Sequence, residues 1–159
     1  MNHSRISLFS LCLCTLLVFL GCGRDTDGAE QAAIRFYKSV WVNGDMNEAS
    51  GMLQNKSDLK EIAWRISDTR REARNSNPDI LIVESPTERV IGRYKTFLIH
   101  RPADKRDFKV RVRKENGSWR VVKFEQNYID HQGGYISGDA YQRLKAEFPG
   151  LKWKRVENP

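Results

Sequence analysis

The sequence predicts an α+β fold in which N-terminal helices pack on one face of an antiparallel sheet. Three observations carry this. Between Ala29 and Ala73 apolar residues recur at intervals of three to four, the period of a helix, and from Asp79 onward the period falls to two, that of a strand. Asn116-Gly117 then marks a tight hairpin turn, because both residue types tolerate positive φ. Finally, Cys12, Cys14 and Cys22 are the only cysteines, so the chain beyond Cys22 holds no disulfide and depends on a core. Its length suits one domain with a modest core.

Taken in order, the first helix is expected from about Ala29 to Val42, with Ala29, Ala33, Phe36, Tyr37, Val40 and Trp41 on one stripe. Asn43-Gly44 stops it. Asp45 starts a second short helix as N-cap, with Glu48 three residues later in capping-box position and Ala49, Met52 and Leu53 facing inward. A third helix begins at Ser57 or Asp58, buries Leu59, Ile62, Ala63, Ile66 and Ala73, and ends before Pro78. Strands follow at Ile80 to Glu84, Arg89 to His100, Phe108 to Lys114 and Trp119 to Gln126. In the second, Val90, Tyr94, Thr96 and Leu98 share one face and Arg93, Lys95 and Phe97 the other, with Gly92 as a candidate bulge. In the third, Phe108, Val110 and Val112 point inward and Lys109, Arg111 and Arg113 outward. The tail 127–159 carries a Gly-rich loop, a helix reaching Phe148, and an alternating stretch, Leu151 to Val156, that suits an edge strand or a strap.

Ahead of this domain stands a basic n-region, Met1 to Ser7, then an apolar run, Leu8 to Leu20, too short to span a bilayer, for which about 20 apolar residues are needed. Val18-Phe19-Leu20-Gly21-Cys22 closes it, with Phe19 where Leu is commonest. The pattern resembles the leader of bacterial lipoproteins. That resemblance implies cleavage before Cys22, a diacylglyceryl group on its thiol and attachment to membrane lipid on the side away from the cytoplasm, in the cell envelope. Gly23 takes the place where Asp retains such proteins in the inner membrane of enteric bacteria, so the outer membrane is mildly favoured. The expected organisation is a leader at 1–21, a lipidated tether at 22–28, a domain at 29–126 and an extension at 127–159.

Ala32-Ala33-Ile34-Arg35-Phe36-Tyr37, then Asn43-Gly44-Asp45 followed by Ala49 and Leu53, with a closing Lys114-Glu115-Asn116-Gly117-Ser118-Trp119-Arg120-Val121, resembles the cystatin-like, nuclear-transport-factor-2-like domains of bacterial lipoproteins of unknown function. The resemblance spans roughly Glu30 to Glu125. It implies a curved sheet wrapped around the first helix as a cone, and no particular activity, since the fold serves enzymes, carriers and assembly modules alike.

Enzymes of that fold project Asp, His and Tyr into the cone, and Tyr37, Asp45, Tyr94 and His100 are the corresponding candidates. Each also has a structural role in the sequence: Asp45 as a helix cap, the tyrosines as core residues, His100 as an exposed strand end beside Arg101-Pro102. No catalytic constellation is therefore assigned. His100 and His131, with Asp130 and Asp139, match no zinc or calcium spacing, and Gly133, Gly134 and Gly138 lack the strand and the Lys-Ser/Thr of a phosphate loop, so no metal and no cofactor is expected.

The net charge is +7, and the leader would remove only Arg5. Arg93, Lys95, Lys109, Arg111 and Arg113, joined by Arg120 or Lys123, are expected to form a basic sheet face. Glu88, Glu115 and Glu125 can neutralise part of it, so a solvated face and a docking face for anionic envelope polymer, lipid headgroups or an acidic protein both remain open. Nucleic acid does not fit that compartment. The expected function is a non-catalytic binding or assembly module, monomeric or weakly dimeric; the alternative is a small-molecule binder or isomerase-like enzyme using the cone.

Overall fold

The computed structural model describes residues 24–72, 77–88, 92–126 and 140–159. Three helices lead, α1 (Arg24–Trp41), α2 (Met46–Met52) and α3 (Leu59–Glu72), the last entered through a 3-10 turn at Lys56–Asp58. Then come β1 (Ile80–Glu84), β2 (Tyr94–Arg101), β3 (Arg106–Glu115) and β4 (Ser118–Gln126), followed by α4 (Ala140–Glu147) and β5 (Lys154–Val156). The fold is α+β: helices and one open sheet in the order β4-β3-β2-β1-β5, antiparallel throughout.

Helix α1 begins at Arg24, five residues before the expected start at Ala29, so most of the expected tether at 22–28 is helix. Gly28 belongs to that helix for a packing reason. A Cβ there would meet Trp119 Nε1 at 3.1 Å, so glycine allows a close approach to β4 that a side chain would permit only if the Trp119 ring shifted by a few tenths of an ångström. The helix ends at Trp41, and the chain turns through Gly44, whose φ of 62° is left-handed and whose carbonyl accepts from Arg70 Nε at 3.0 Å. Asp45 caps α2 as expected, accepting from the amides of Asn47 and Glu48 at 2.9 and 3.0 Å. The reciprocal half of the box is absent: Glu48 turns instead to Arg35, 2.6 Å away, and the Asp45 amide donates to the Ser39 carbonyl. In α3, Ile62 and Ile66 are buried while Ala63 is exposed, and Ala73 lies outside the described residues.

The main core lies between these helices and one sheet face. Ala29, Ala33, Phe36, Tyr37, Val40 and Trp41 of α1 are all buried, against Phe97 and Ile99 of β2, Phe108, Val110 and Val112 of β3, and Val121 and Phe124 of β4. Burial of side chains of this size contributes roughly 1.5–3 kcal/mol each. Both edge strands reach α1: Gly28 abuts Trp119 of β4, and Glu30 holds Lys154 of β5 at 2.5 Å.

Register corrects the expected face of β2. Phe97 pairs with Val110, Ile99 with Phe108 and Lys95 with Val112, so Phe97, Ile99 and Lys95 lie on the helix side, while Tyr94, Thr96 and Leu98 lie on the outer face. The alternation was sound, but its sign was reversed, because one residue of register exchanges the faces. Leu98 is nonetheless buried, since α4 covers it: Leu144 packs on Val83 and Leu98, with Phe148, Leu151 and Trp153 around them. The expected long strand from Arg89 starts instead at Tyr94; Gly92, with φ 113°, precedes it, and residues 89–91 lie outside the described set. The irregularity in the sheet falls in the β3/β4 pair, where Arg111 pairs with Lys123 but Val112 with Val121, leaving Val122 as the extra residue. Leu151 to Val156 supplies an edge strand, β5, pinned by Arg155 to Asp79 at 2.6 Å and by Asn77 Nδ2 donating to the Pro159 carbonyl at 2.7 Å. Along the opposite edge, Leu53 bridges Val121 and the Gln54 amide donates to the Val121 carbonyl at 2.9 Å.

Candidate functional site

The outer face of the sheet is divided. Over β1 and β2 it carries Val83, Leu98 and His100 beneath α4; over β3 and β4 it carries Lys109, Arg111 and Arg113, opposite Glu125, Lys123 and Arg120. Alternation along β3 puts these three cations on one side of the strand, because the intervening Phe108, Val110 and Val112 are committed to the core.

Their surroundings differ along the strand. Lys109 Nζ sits between Glu88 and Glu125, at 3.0 and 2.9 Å. Burial alone would lower its pKa; the hydrogen bonds to Glu125 and Glu88 outweigh that and hold it above the usual lysine value. Glu125 answers in kind: burial would raise it, but hydrogen bonds from Lys123 and Lys109 hold it below the ordinary carboxylate value. This end of the strip is neutralised. Arg111 and Arg113 are not. Their guanidinium groups lie over the Tyr94 ring at 5.7 and 5.5 Å, and among the described residues neither has a carboxylate partner. Arg111 Nε is buried without a hydrogen-bond partner, as is the hydroxyl of Thr96, its neighbour across the strand pair. Arg120 donates to the Gly51 carbonyl around the sheet edge.

Two of the five residues expected on this face leave it. Lys95 is on the helix side, paired with Glu84 at 2.8 Å, for the register reason given above. Arg93 is exposed and precedes β2; its carbonyl accepts from the Lys114 amide at 2.9 Å. Tyr94 takes their place, a residue whose side the sequence reading had reversed.

The candidate acid–base residues occupy separate places. Tyr37 is in the core, edge-on to Phe108 with ring centroids 5.0 Å apart, its hydroxyl accepting from Arg101 Nη1 at 3.3 Å; burial pushes its pKa up, more than Arg101 draws it down. Arg101 is itself buried, held by Asp104 through two bonds of 2.9 and 2.6 Å, and Asp104 with Tyr37 keeps it firmly protonated against the cost of burial. Asp45 caps α2, and Tyr94 lies under the two arginines. His100, expected to be exposed, is only 7% accessible. Its Nδ1 meets Asp107 Oδ1 at 2.8 Å, and its ring stacks on Tyr141 with centroids 4.6 Å apart and planes 9° from parallel. Burial comes from α4, which the sequence reading did not place. Asp107 was missed altogether, although a four-residue turn at Pro102 to Lys105 would have set it opposite His100. Its second oxygen, Oδ2, is buried without a partner.

The space between the helices and the sheet is occupied by aromatic rings: Trp41 packs on Phe108 and Phe36 on Phe124, at 4.8 and 5.2 Å between centroids. A shallow groove of about 390 Å³ lies elsewhere, lined by Met46, Ala63, Ile66, Ser67, Arg70 and Arg71. Among the described residues no cluster of three or more potential metal ligands occurs, and no helix is long and apolar enough to cross a membrane. Cys22, Asp130, His131 and Asp139, with Gly133, Gly134 and Gly138, lie outside the described residues. No known protein family, curated protein or solved structure matches this chain.

Proposed function

We propose that the chain is a membrane-anchored lipoprotein, held through lipidated Cys22 in the cell envelope, that acts as a non-catalytic binding module for an anionic partner on the open half of its outer sheet face. The observation that carries this is the Arg111–Tyr94–Arg113 cluster, two guanidinium groups on one ring with no carboxylate among the described residues to neutralise either. Like charges on neighbouring positions repel unless a polyanion is present, and Arg111 Nε has an unfilled donor direction.

Two features favour binding over the isomerase-like alternative. The interior where a substrate would sit is filled by Phe36, Tyr37, Trp41 and Phe108, and the four acid–base candidates do not converge. The reach of both edge strands to α1 supports a curved sheet of the cystatin-like kind, used here as a scaffold and not as a cone-shaped pocket.

The test is envelope crosslinking with the full chain carrying Arg111→Glu and Arg113→Glu. Crosslinked partners are expected to disappear; an unchanged set would overturn the docking face. Separately, Cys22→Ser is expected to remove the protein from the membrane fraction, and its retention there would overturn the anchor.

A further inference from the structure

The placement of α1 gives the sheet a membrane-facing end, and we propose that this end, built from the β3–β4 hairpin and the residue preceding β2, docks on anionic lipid headgroups of the same bilayer that holds Cys22. This rests on the lipid-anchor reading above and adds the identity of the surface the basic end meets.

Helix α1 starts at Arg24, two residues past Cys22, a reach of about 7 Å when extended. Gly28 lies one turn on, a further 6 Å or about that at 1.5 Å per residue, and it abuts Trp119 at the start of β4. The other end of α1 lies far from there, where Trp41 Nε1 donates to Gln126 Oε1 at 2.6 Å at the end of β4. Helix and β4 therefore run alongside each other, and the Asn116-Gly117 turn belongs to the anchored end. Along the chain, Gly28 is no more than about 13 Å from Cys22, under two Debye lengths of about 8 Å at physiological salt, and Trp119 beside it opens the strand that follows the turn.

Charge and side-chain type agree with that placement. Arg113 lies over Tyr94 and Lys114 Nζ over Trp119, at 5.5 and 5.9 Å. Arg120 is opposite Arg113, and Arg93 is tied to Lys114 through its carbonyl. Among the residues of the hairpin and the one preceding β2, these four cations stand with one acid, Glu115. At the far end of the sheet, by contrast, Asp104 holds both Arg101 and Arg106, at 2.6 and 3.3 Å, and in the middle Lys109 is neutralised by Glu88 and Glu125. The end that the anchor brings to the membrane thus keeps a net positive charge, and Arg111, next along the same face of β3, adds to it. Amphipathic Trp and Tyr rings sit at headgroup level in membranes, and Lys and Arg are drawn to anionic leaflets from the aqueous side. Since acylation already holds the chain, the docking sets the orientation of the domain about its anchor.

The experiment uses the full lipidated chain with Ser118→Cys, an exposed position at the start of β4. After processing this would be the only free thiol, Cys12 and Cys14 leaving with the leader and Cys22 being acylated. An environment-sensitive fluorophore is attached there, and the protein is reconstituted into vesicles of phosphatidylcholine alone or with phosphatidylglycerol. Expected are a blue shift and reduced quenching by acrylamide in the anionic vesicles only, reversed by high salt and lost in Arg113→Gln with Arg120→Gln. Identical spectra in the two vesicle types, with the protein floating with both, would overturn the docking and leave the anchor standing. Failure to float with either would overturn the anchor and the docking with it. The same shift on adding soluble polyglutamate to neutral vesicles would assign the end to an acidic polymer and overturn the lipid proposal.

Discussion

On the face turned to α1, Phe108, Val110 and Val112 of β3 interlock with Phe36, Tyr37 and Trp41, whereas the face that alternates with it on the same strand carries Lys109, Arg111 and Arg113 and is covered by α4 only over β1 and β2. One face is closed by apolar contact along its length. The other is closed by a small apolar cluster at one side and by ion pairs and ring contacts at the other. The difference follows the order of the chain. The inner face is covered by the helices that precede the sheet; among the described residues the outer face is covered where the tail returns, with β5 joining β1 and α4 lying across Val83 and Leu98. What α4 and β5 do not cover is basic.

The sharpest way to break this comparison is to remove an inner ring. Phe108→Ala is expected to cost about 3–5 kcal/mol, since the residue is fully buried between Tyr37 and Trp41. Urea unfolding followed by circular dichroism measures it; a loss below 1 kcal/mol would mean that the inner face is not the main core. A smaller effect is expected on the outer side, where Leu144→Ala should cost about 2 kcal/mol, because its cluster is small and its neighbours Phe148, Leu151 and Trp153 are only partly buried. Hydrogen exchange should show α4 losing protection while β2 and β3 keep theirs. Uniform loss across the sheet would show that the two faces are one cooperative unit.

The smallest effect concerns the charged half. The folded pKa of Glu125 lies below its ordinary value near 4.5, so its ion pairs contribute stability above that value, lost as pH falls through the folded one. The folded pKa of Lys109 is raised, so its contribution is present below its ordinary value near 10.5 and lost as pH rises through the folded one. For partly exposed pairs the sum amounts to about 0.2–1 kcal/mol. The drop in urea midpoint between about pH 6 and pH 3 should therefore be smaller in Lys109→Met than in the parent chain. Equal drops would remove the ion pairs from the account.

Much of this architecture was legible in the sequence, and the failures share a cause. The stripe from Ala29 to Trp41, the Asp45 cap, the Asn116-Gly117 turn, with φ of 49° and 79°, and the alternation of β3 are local signals, each decided within a few residues. What the sequence left wrong or open depended on contacts across the chain. In β2 both Phe97 and Leu98 are buried, on opposite faces, so alternation could not say which side was inside until the partner of each was known. The exposed position assigned to His100 failed because Tyr141, about forty residues later, stacks on it. Of the basic face, Lys109, Arg111 and Arg113 were found because they belong to one strand; Lys95 was misassigned because it belongs to another, whose register only the sheet determines.

The edges of the sheet carry a consequence of a different kind. An unpaired strand edge is a template on which another chain can add. Along β4 the Leu53–Gln54 segment occupies the Val121 carbonyl and Arg120 reaches over to Gly51; on the other side the border is β5, three residues long and carrying Lys154 and Arg155. Among the described residues neither border offers a long, flat, uncharged strand on which a second copy could add.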